Sequence, residues 1–432
     1  MLYFILFLLL TYILIIFKRL KKYKYNQTKD YIYNFKNHIS QNVLIQNNRL
    51  QIQTNNKDTL ILELKLKISI TSYFFKPYIE IDNIKHYFEY GSSGKRYINI
   101  SYINQGLIKE NNCSFFKKEL KLYTFKNTIT QDSQSLIVAP HADDAELSSF
   151  GLYSWLKDVN IVTITAGENG VCNYCDIYKD LSQATLKKGK LRAFDAITTP
   201  LLGGVQLQNS LALGYFGGQL INMRKKPMQE FTSHIKDITS LKEFRHIAHS
   251  KFKLAKDVTC SYTNLKEDLK ILLLEIKPKY IITPHPTIDS HPDHKESTYL
   301  IIELLLELEL NSTLLLYTNH LTTSELYPHG AIGSSIDLPP NFKDLLFDSI
   351  YSFQLNQNLQ KDKFFAIESM HDLRDSLIQL SLKRAWKLTI KLLKSKIISK
   401  DKSYFRRAVR ANELFFVISH KETLKKILLE KQ

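Results

Sequence analysis

A chain of 432 residues, 44% hydrophobic and 23% charged, has material for two or three packed cores, which excludes a largely disordered protein. Its formal net charge of +17 is spread along the chain as scattered lysines, without a zinc-finger, RRM-like or basic-zipper pattern, so nucleic acid is not an expected partner. Four cysteines exclude a disulfide framework, and the lone C-x-x-C of Cys172 and Cys175 lacks the second pair of a structural zinc site, so reduced thiols are expected.

The chain opens on "MLYFILFLLLTYILIIF", apolar from Met1 to Phe17, and then meets "KRLKKYKY". As a helix this run covers about 25 Å, slightly short of a bilayer core of about 30 Å. Snorkelling Lys18 and Arg19 and interfacial Tyr23 and Tyr25 would make up the difference. A cleaved signal peptide wants positive charge before the apolar run and small residues after it, and neither is present. Residues 1–25 therefore predict a transmembrane anchor with a basic flank, which makes the membrane a partner. Lys18, Arg19, Lys21, Lys22 and Lys24 predict a single-pass topology with the body of the protein on the cytoplasmic side.

From about Leu50 to Lys126 the hydrophobic pattern has period two. "LILELKLKISI" sets Leu60, Leu62, Leu64, Leu66, Ile68 and Ile70 on one face, with Glu63, Lys65 and Lys67 opposite. "RYINISYI" and "ELKLYTF" repeat the theme, and turn-rich "GSSGK" separates two of the runs. Short alternating strands predict a small antiparallel β-sandwich as an accessory domain over residues 26–130.

From about Ser133 strands alternate with helices. "SLIVAP", "NIVTITAG", "KYIITPHP" and "STLLLYT" read as strands, and "DLSQATLKKGKLRAFDAI", "NLKEDLKILLLEI" and "HPDHKESTYLIIELLLELEL" as helices. The segment from about Gln354 to Lys396 reads as mostly helix, and "NELFFVIS" as a late strand. This alternation predicts an α/β domain over residues 131–432, with a mostly parallel, Rossmann-like sheet.

Two polar clusters stand directly after two of these strands. The first, "HADDAE", offers His141, Asp143, Asp144 and Glu146; the second, "HPTIDSHPDH", offers His285, Asp289, His291, Asp293 and His294. In open α/β sheets functional groups gather where strands end, and the parent strands of these two loops could be neighbours. A hydrolytic metal site needs about three His or carboxylate ligands, a base for the attacking water and a donor for the oxyanion. Adjacent Asp143 and Asp144 suit a division of labour, because neighbouring loop side chains diverge. Ser290 is placed to cap the following helix with Pro292 in its first turn, which would set His291 and His294 at one end.

These residues resemble the motifs of the PIG-L/LmbE-like deacetylases, zinc hydrolases of N-acetylglucosamine-type amides. "APHADDAE", Ala139 to Glu146, is similar to the family's A-H-P-D-D-E, with Ala142 in the proline position, and the family's H-P-D-H stands intact at His291 to His294. "TAGENG", Thr165 to Gly170, and "KLRAFDA", with Asp195 in place of Glu, match two further segments. "KFFAIESMH", Lys363 to His371, extends the resemblance, and Gly217 stands where many relatives carry an acidic residue. The resemblance implies a zinc ion (Zn2+) held by His141, Asp144 and His294, Asp143 as general base, and His291 as the oxyanion-stabilising residue. It further implies that Arg192 holds the substrate. The resulting expectation is a membrane-anchored, zinc-dependent deacetylase acting on an N-acetylated amino sugar in a lipid-linked or envelope glycan precursor. The alternatives are a deacetylase of a soluble glucosaminyl conjugate and a glycan-binding protein without activity.

Overall fold

The computed structural model describes residues 20–432 except 53–57, 117–118, 171–173, 176, 236, 257, 372–385, 387–388, 390–405 and 432, and six positions before residue 20. The chain divides into two compact units. One comprises residues 1–128, 320–354 and 410–414, and the other residues 129–319, 355–409 and 415–432.

The first unit is built from antiparallel strands. β1 (Ile39–Gln46), β2 (Arg49–Leu50), β3 (Thr59–Lys67), β4 (Tyr78–Ile81) and β5 (Ile84–Tyr87) are followed by β6 (Gly94–Asn99), β7 (Ile108–Asn111), β8 (Ser114–Phe115) and β9 (Glu119–Phe125). One sheet runs β2-β1-β9-β3-β6, with β8 also paired to β3, and a second runs β5-β4-β7. Alternation decides which face is buried. Leu60, Leu62, Leu64 and Leu66 of β3 join Ile98 of β6, Leu122 of β9 and Ile79 and Ile81 of β4 in one core, so the two sheets share it. Ile68 and Ile70, which the sequence pattern assigns to the same face, are 52% and 79% exposed, because β3 ends at Lys67 and the backbone turns into a 3-10 helix at Ile70.

The second unit carries the α/β alternation. β10 (Ser135–Ala139), α1 (Asp144–Trp155), β11 (Val159–Thr165), α2 (Leu181–Thr198) and β12 (Ser210–Tyr215) come first. Then follow α3 (Leu220–Lys225), α4 (Tyr262–Ile276), β13 (Tyr280–Pro284), α5 (Pro292–Glu307) and β14 (Thr313–Tyr317). The next strand, β15 (Ser349–Gln354), lies in the first unit. α6 (Gln357–Ser369), β16 (Asn412–Ile418, from Phe415 onward in this unit) and α7 (Lys421–Leu429) complete the chain. The strand order is β12-β11-β10-β13-β14-β16. The first five are parallel, and β16 is antiparallel to β14. β10 and β13 are neighbours, with Ile137 opposite Ile282, and the strand order reverses between them. That reversal is the switch point where loops from adjacent strands open a crevice.

These findings correct the expected fold class and localisation. The protein is a mixed α/β fold with several sheets, antiparallel ones among them, and among the described residues no helix is long and apolar enough to cross a membrane. Most of the run from Met1 to Phe17, on which the anchor was expected, lies outside the described residues. Its flank has a different use from the one expected. Tyr23 is buried, the Lys24 amide donates to the Thr323 carbonyl, and the Tyr25 hydroxyl donates to Glu89. Tyr23 and Tyr25, read as interfacial groups, and Lys24 of the basic flank are thus tied into the first unit, Lys18 and Arg19 lie outside the described residues, and a single-pass membrane protein is not supported.

Most of the helix expected from Gln354 to Lys396 also lies outside the described residues beyond α6. Of the cysteines, Cys113 and Cys260 are buried free thiols, each pushed up to about 12 by burial. Cys175 is disulfide-bonded, which corrects the expectation of reduced thiols at that position, and Cys172 lies outside the described residues.

Candidate metal centre and active site

β10 is buried along its whole length and stops at Pro140, whose carbonyl accepts both the amide and the hydroxyl of Thr165. The chain then needs only three more residues to reach α1, so His141, Asp143 and Asp144 are presented on a short, anchored loop. β13 ends at Pro284, and the loop to α5 carries Asp289 and His291. The cap of α5 is His291, not Ser290: its Nδ1 accepts the Asp293 amide at 3.2 Å, with Pro292 in the first turn. His294 follows one turn inside the helix, wholly buried.

Three donor atoms converge where the two loops meet. His141 Nδ1 lies 3.2 Å from Asp144 Oδ2 and 3.2 Å from His294 Nε2, and His294 Nε2 lies 3.1 Å from Asp144 Oδ2. Tetrahedral zinc with ligands at about 2.0–2.1 Å sets neighbouring donors about 3.3–3.4 Å apart. The observed triangle is therefore of the right size to close on one divalent ion. Two overlapping sets of residues present donors within 4.8 Å of one another, His141 with His291 and His294, and His141 with Asp143 and Asp144.

The outer atom of each converging side chain is occupied. His141 Nε2 faces Asp293 Oδ2 at 3.3 Å, and the same oxygen accepts the Gly218 amide at 2.7 Å. His294 Nδ1 faces Asp289 Oδ2 at 3.1 Å. Asp144 Oδ1 accepts Asn319 Nδ2 at 2.8 Å. Carboxylates behind imidazoles fix the ring orientation and leave the inner nitrogen as the basic one, as metal ligands require.

The electrostatics say the same. Three carboxylates, Asp144, Asp289 and Asp293, meet two imidazoles, so the cluster stays negative even with both rings protonated. Burial works against charge on His141, but its hydrogen bonds to Asp144 and Asp293 outweigh burial and raise it to about 9. Burial is likewise overcome at His294 by Asp144 and Asp289, which hold it well above the ordinary imidazole range. Both rings thus sit in a negative field set by the carboxylates, a field that would equally favour a bound cation.

His291 behaves differently. Burial, followed by the neighbouring His141 and His294, pushes it down to about 4, so the ring is neutral near pH 7. Its Nδ1 is an acceptor, because a backbone amide can only donate. The remaining proton of the neutral ring therefore sits on Nε2, as a donor. Asp143, at the start of α1, is part-exposed, and its Oδ1 lies 3.5 Å from Arg192 Nη2. Arg192 projects from α2 and is packed against Gly167, where a Cβ would come within 2.5 Å of Nε. Gly167 also has φ +59, so the "TAGENG" turn needs glycine there for both backbone and space.

The remaining candidates have structural partners. Glu146 is buried, raised to about 8 by that burial, and accepts the Tyr153 hydroxyl. The His285 ring accepts the Thr287 amide at Nδ1 and is pushed down to about 3 by burial. Asp195, in the R-x-x-D segment, accepts both the amide and Nδ1 of His371 at 2.9 and 2.8 Å, tying "KFFAIESMH" to α2. Sequence reading placed Asp289 and Asp293 in the second loop without assigning them roles. It missed Asn319, which no motif marks.

Imidazoles and carboxylates converging at the switch point of a parallel sheet form a candidate site for a divalent metal ion. Residues 136–305 match the family described as PIG-L: GlcNAc-PI de-N-acetylase. That segment, which carries both ligand loops from His141 to His294, is the part of the chain that resembles the PIG-L-type deacetylases, which are metal-dependent amide hydrolases. No curated protein matches it. Among solved structures it is similar to N,N'-diacetylchitobiose deacetylase from Pyrococcus horikoshii, at 18% identity and a TM-score of 0.34 over 66% of this chain and 84% of that one. An antimicrobial pseudoaglycone deacetylase matches at 16% identity and a TM-score of 0.34, over 67% of this chain and 98% of the other. A zinc-inhibited form of teicoplanin deacetylase matches at 16% identity and a TM-score of 0.34, over 66% and 97%.

Proposed function

We propose that this protein is a zinc-dependent hydrolase of the acetamide group of an N-acetylglucosaminyl conjugate. The observation that carries the reading is the convergence of His141 Nδ1, Asp144 Oδ2 and His294 Nε2 to within 3.1–3.2 Å, each with its outer atom already held. His141, Asp144 and His294 would hold the ion. When bound, zinc supplies Lewis acidity, lowering the pKa of the attacking water and polarising the amide carbonyl.

The chain supplies the rest. Asp143, part-exposed beside the ligands, takes the proton of the attacking water and carries it towards the leaving amine. His291, neutral and protonated on Nε2, donates a hydrogen bond to the oxygen that gains charge as the carbonyl becomes tetrahedral. Arg192, packed against Gly167, lies beside Asp143 and is the residue assigned to hold the substrate. The family description names GlcNAc-PI, which supports a lipid-linked glucosaminyl conjugate as the first substrate to test. An anchor no longer supports it.

The test is acetate release from N-acetylglucosaminyl lipids, sugar nucleotides and soluble glycosides, with bound metal measured in parallel. Asp143→Ala is expected to keep its zinc and lose about 10²–10⁴-fold in kcat. Full activity in that variant overturns the assignment of the base. Release from soluble glycosides alone makes the aglycone water-borne.

A further inference from the structure

We propose that Asn319 is a positioning residue for the metal ligands, closing a circuit of contacts that runs through the ion's position. The inference rests on the metal-hydrolase reading above. Asn319 lies two residues beyond β14, in "YTNH", where no pattern singles it out, and it is 9% exposed. Its backbone amide donates to Asp289 Oδ2 at 3.2 Å. Its side-chain Nδ2 donates to Asp144 Oδ1 at 2.8 Å and lies 3.5 Å from the Asp144 carbonyl. The orientation of the amide is fixed by its partner, because an ionised carboxylate only accepts.

The same Asp289 oxygen faces His294 Nδ1 at 3.1 Å, and Asp289 Oδ1 accepts the His291 amide at 2.9 Å. The circuit is then complete. It runs from Asp144 to His294, to Asp289, to the Asn319 backbone, and through the Asn319 side chain back to Asp144.

This arrangement does two things. The two ligand loops leave β10 and β13, and Asn319 comes from β14, so a third strand sets their separation. A neutral amide on Oδ1 also directs Asp144 to the ion through Oδ2 alone while leaving its charge undiminished. A lysine or arginine there would neutralise the carboxylate that the ion needs. An amide donor orients without competing.

The experiment measures Zn2+ affinity of metal-stripped protein by chelator competition, together with the visible spectrum of the Co2+ form and the melting temperature of both states. Asn319→Ala is expected to weaken binding about 10- to 100-fold and to alter the Co2+ spectrum. Asn319→Asp keeps the size and the bond to Asp289 but sets a like charge against Asp144, so it should bind more weakly still. Asn319→Ser carries the same comparison should the alanine variant fail to fold. A purely structural residue would lower both melting temperatures alike and leave affinity and spectrum unchanged. If wild type binds and every folded variant binds equally, the positioning role falls and the hydrolase reading stands. If wild type takes up no ion, both fall.

Discussion

Both units bury charge, and they balance it in opposite ways. In the first, Glu89 is wholly buried and accepts from Arg96 Nε at 3.2 Å and Nη2 at 3.3 Å, from Tyr31 at 2.5 Å and from Tyr25 at 2.9 Å. Arg96 gives its other donors to the carbonyls of Gln27, Lys29 and Lys95. The cluster holds its own cation and is closed. In the second unit, Asp144, Asp289 and Asp293 surround His141 and His294, and the balance tips to the negative side. A buried cluster that supplies its own counter-charge holds a fold together; one that is short of positive charge, with lone pairs converging, is built for a cation from outside.

The sharpest way to break this contrast is to remove the metal. A chelator, or Asp144→Ala, is expected to abolish acetate release, and re-added zinc should restore only the wild type. Metal-free protein with full activity would end the comparison. Next in size, Glu89→Ala leaves Arg96 buried without its carboxylate and should cost about 3–5 kcal/mol in denaturant unfolding. It should leave bound zinc per chain unchanged, since Glu89 holds no metal donor. Loss of zinc in that variant would show that the two clusters are not separate in role.

The smallest expected effect is a graded one with pH. Burial alone would raise Glu89, but Arg96 and His329 and the Tyr31 hydroxyl outweigh it and hold the carboxyl at about 2. A carboxyl depressed in the folded state adds stability above its unfolded pKa of about 4.3 and loses it as pH falls through the folded value. Melting temperature should therefore drop between about pH 4.5 and pH 2, and the Glu89-dependent part of the drop should vanish in Glu89→Gln. An unchanged slope in the variant would show that Glu89 does not titrate across this window.

Much of the site was legible because the chemistry clusters in sequence. A buried run ending at a proline and followed by "HADDAE", and a second ending in "HPTIDSHPDH", can be read as loops at strand ends. The structure sets His141, Asp144 and His294 side by side because β10 and β13 pair in parallel. The outer partners were less legible. Asp289 and Asp293 are indistinguishable by residue type from Asp143 and Asp144, and only distance separates a residue behind an imidazole from one in front of it. The N-terminal flank misled because lysines and tyrosines after an apolar run read as membrane anchors, whereas Tyr23 and Tyr25 find burial and a carboxylate partner inside the first unit.

By itself the sequence determined the local elements and the donor types, since period-two alternation, strand–helix alternation and short polar loops are properties of neighbouring residues. Only the tertiary structure decided that residues 320–354 and 410–414 return to the first unit, that His291 and not Ser290 caps α5, and that Asn319 reaches Asp144. The reason is physical. Pairing across a sheet joins residues more than a hundred positions apart, and whether a carboxylate orients a ligand or binds the ion is settled by a few ångströms that no local pattern encodes.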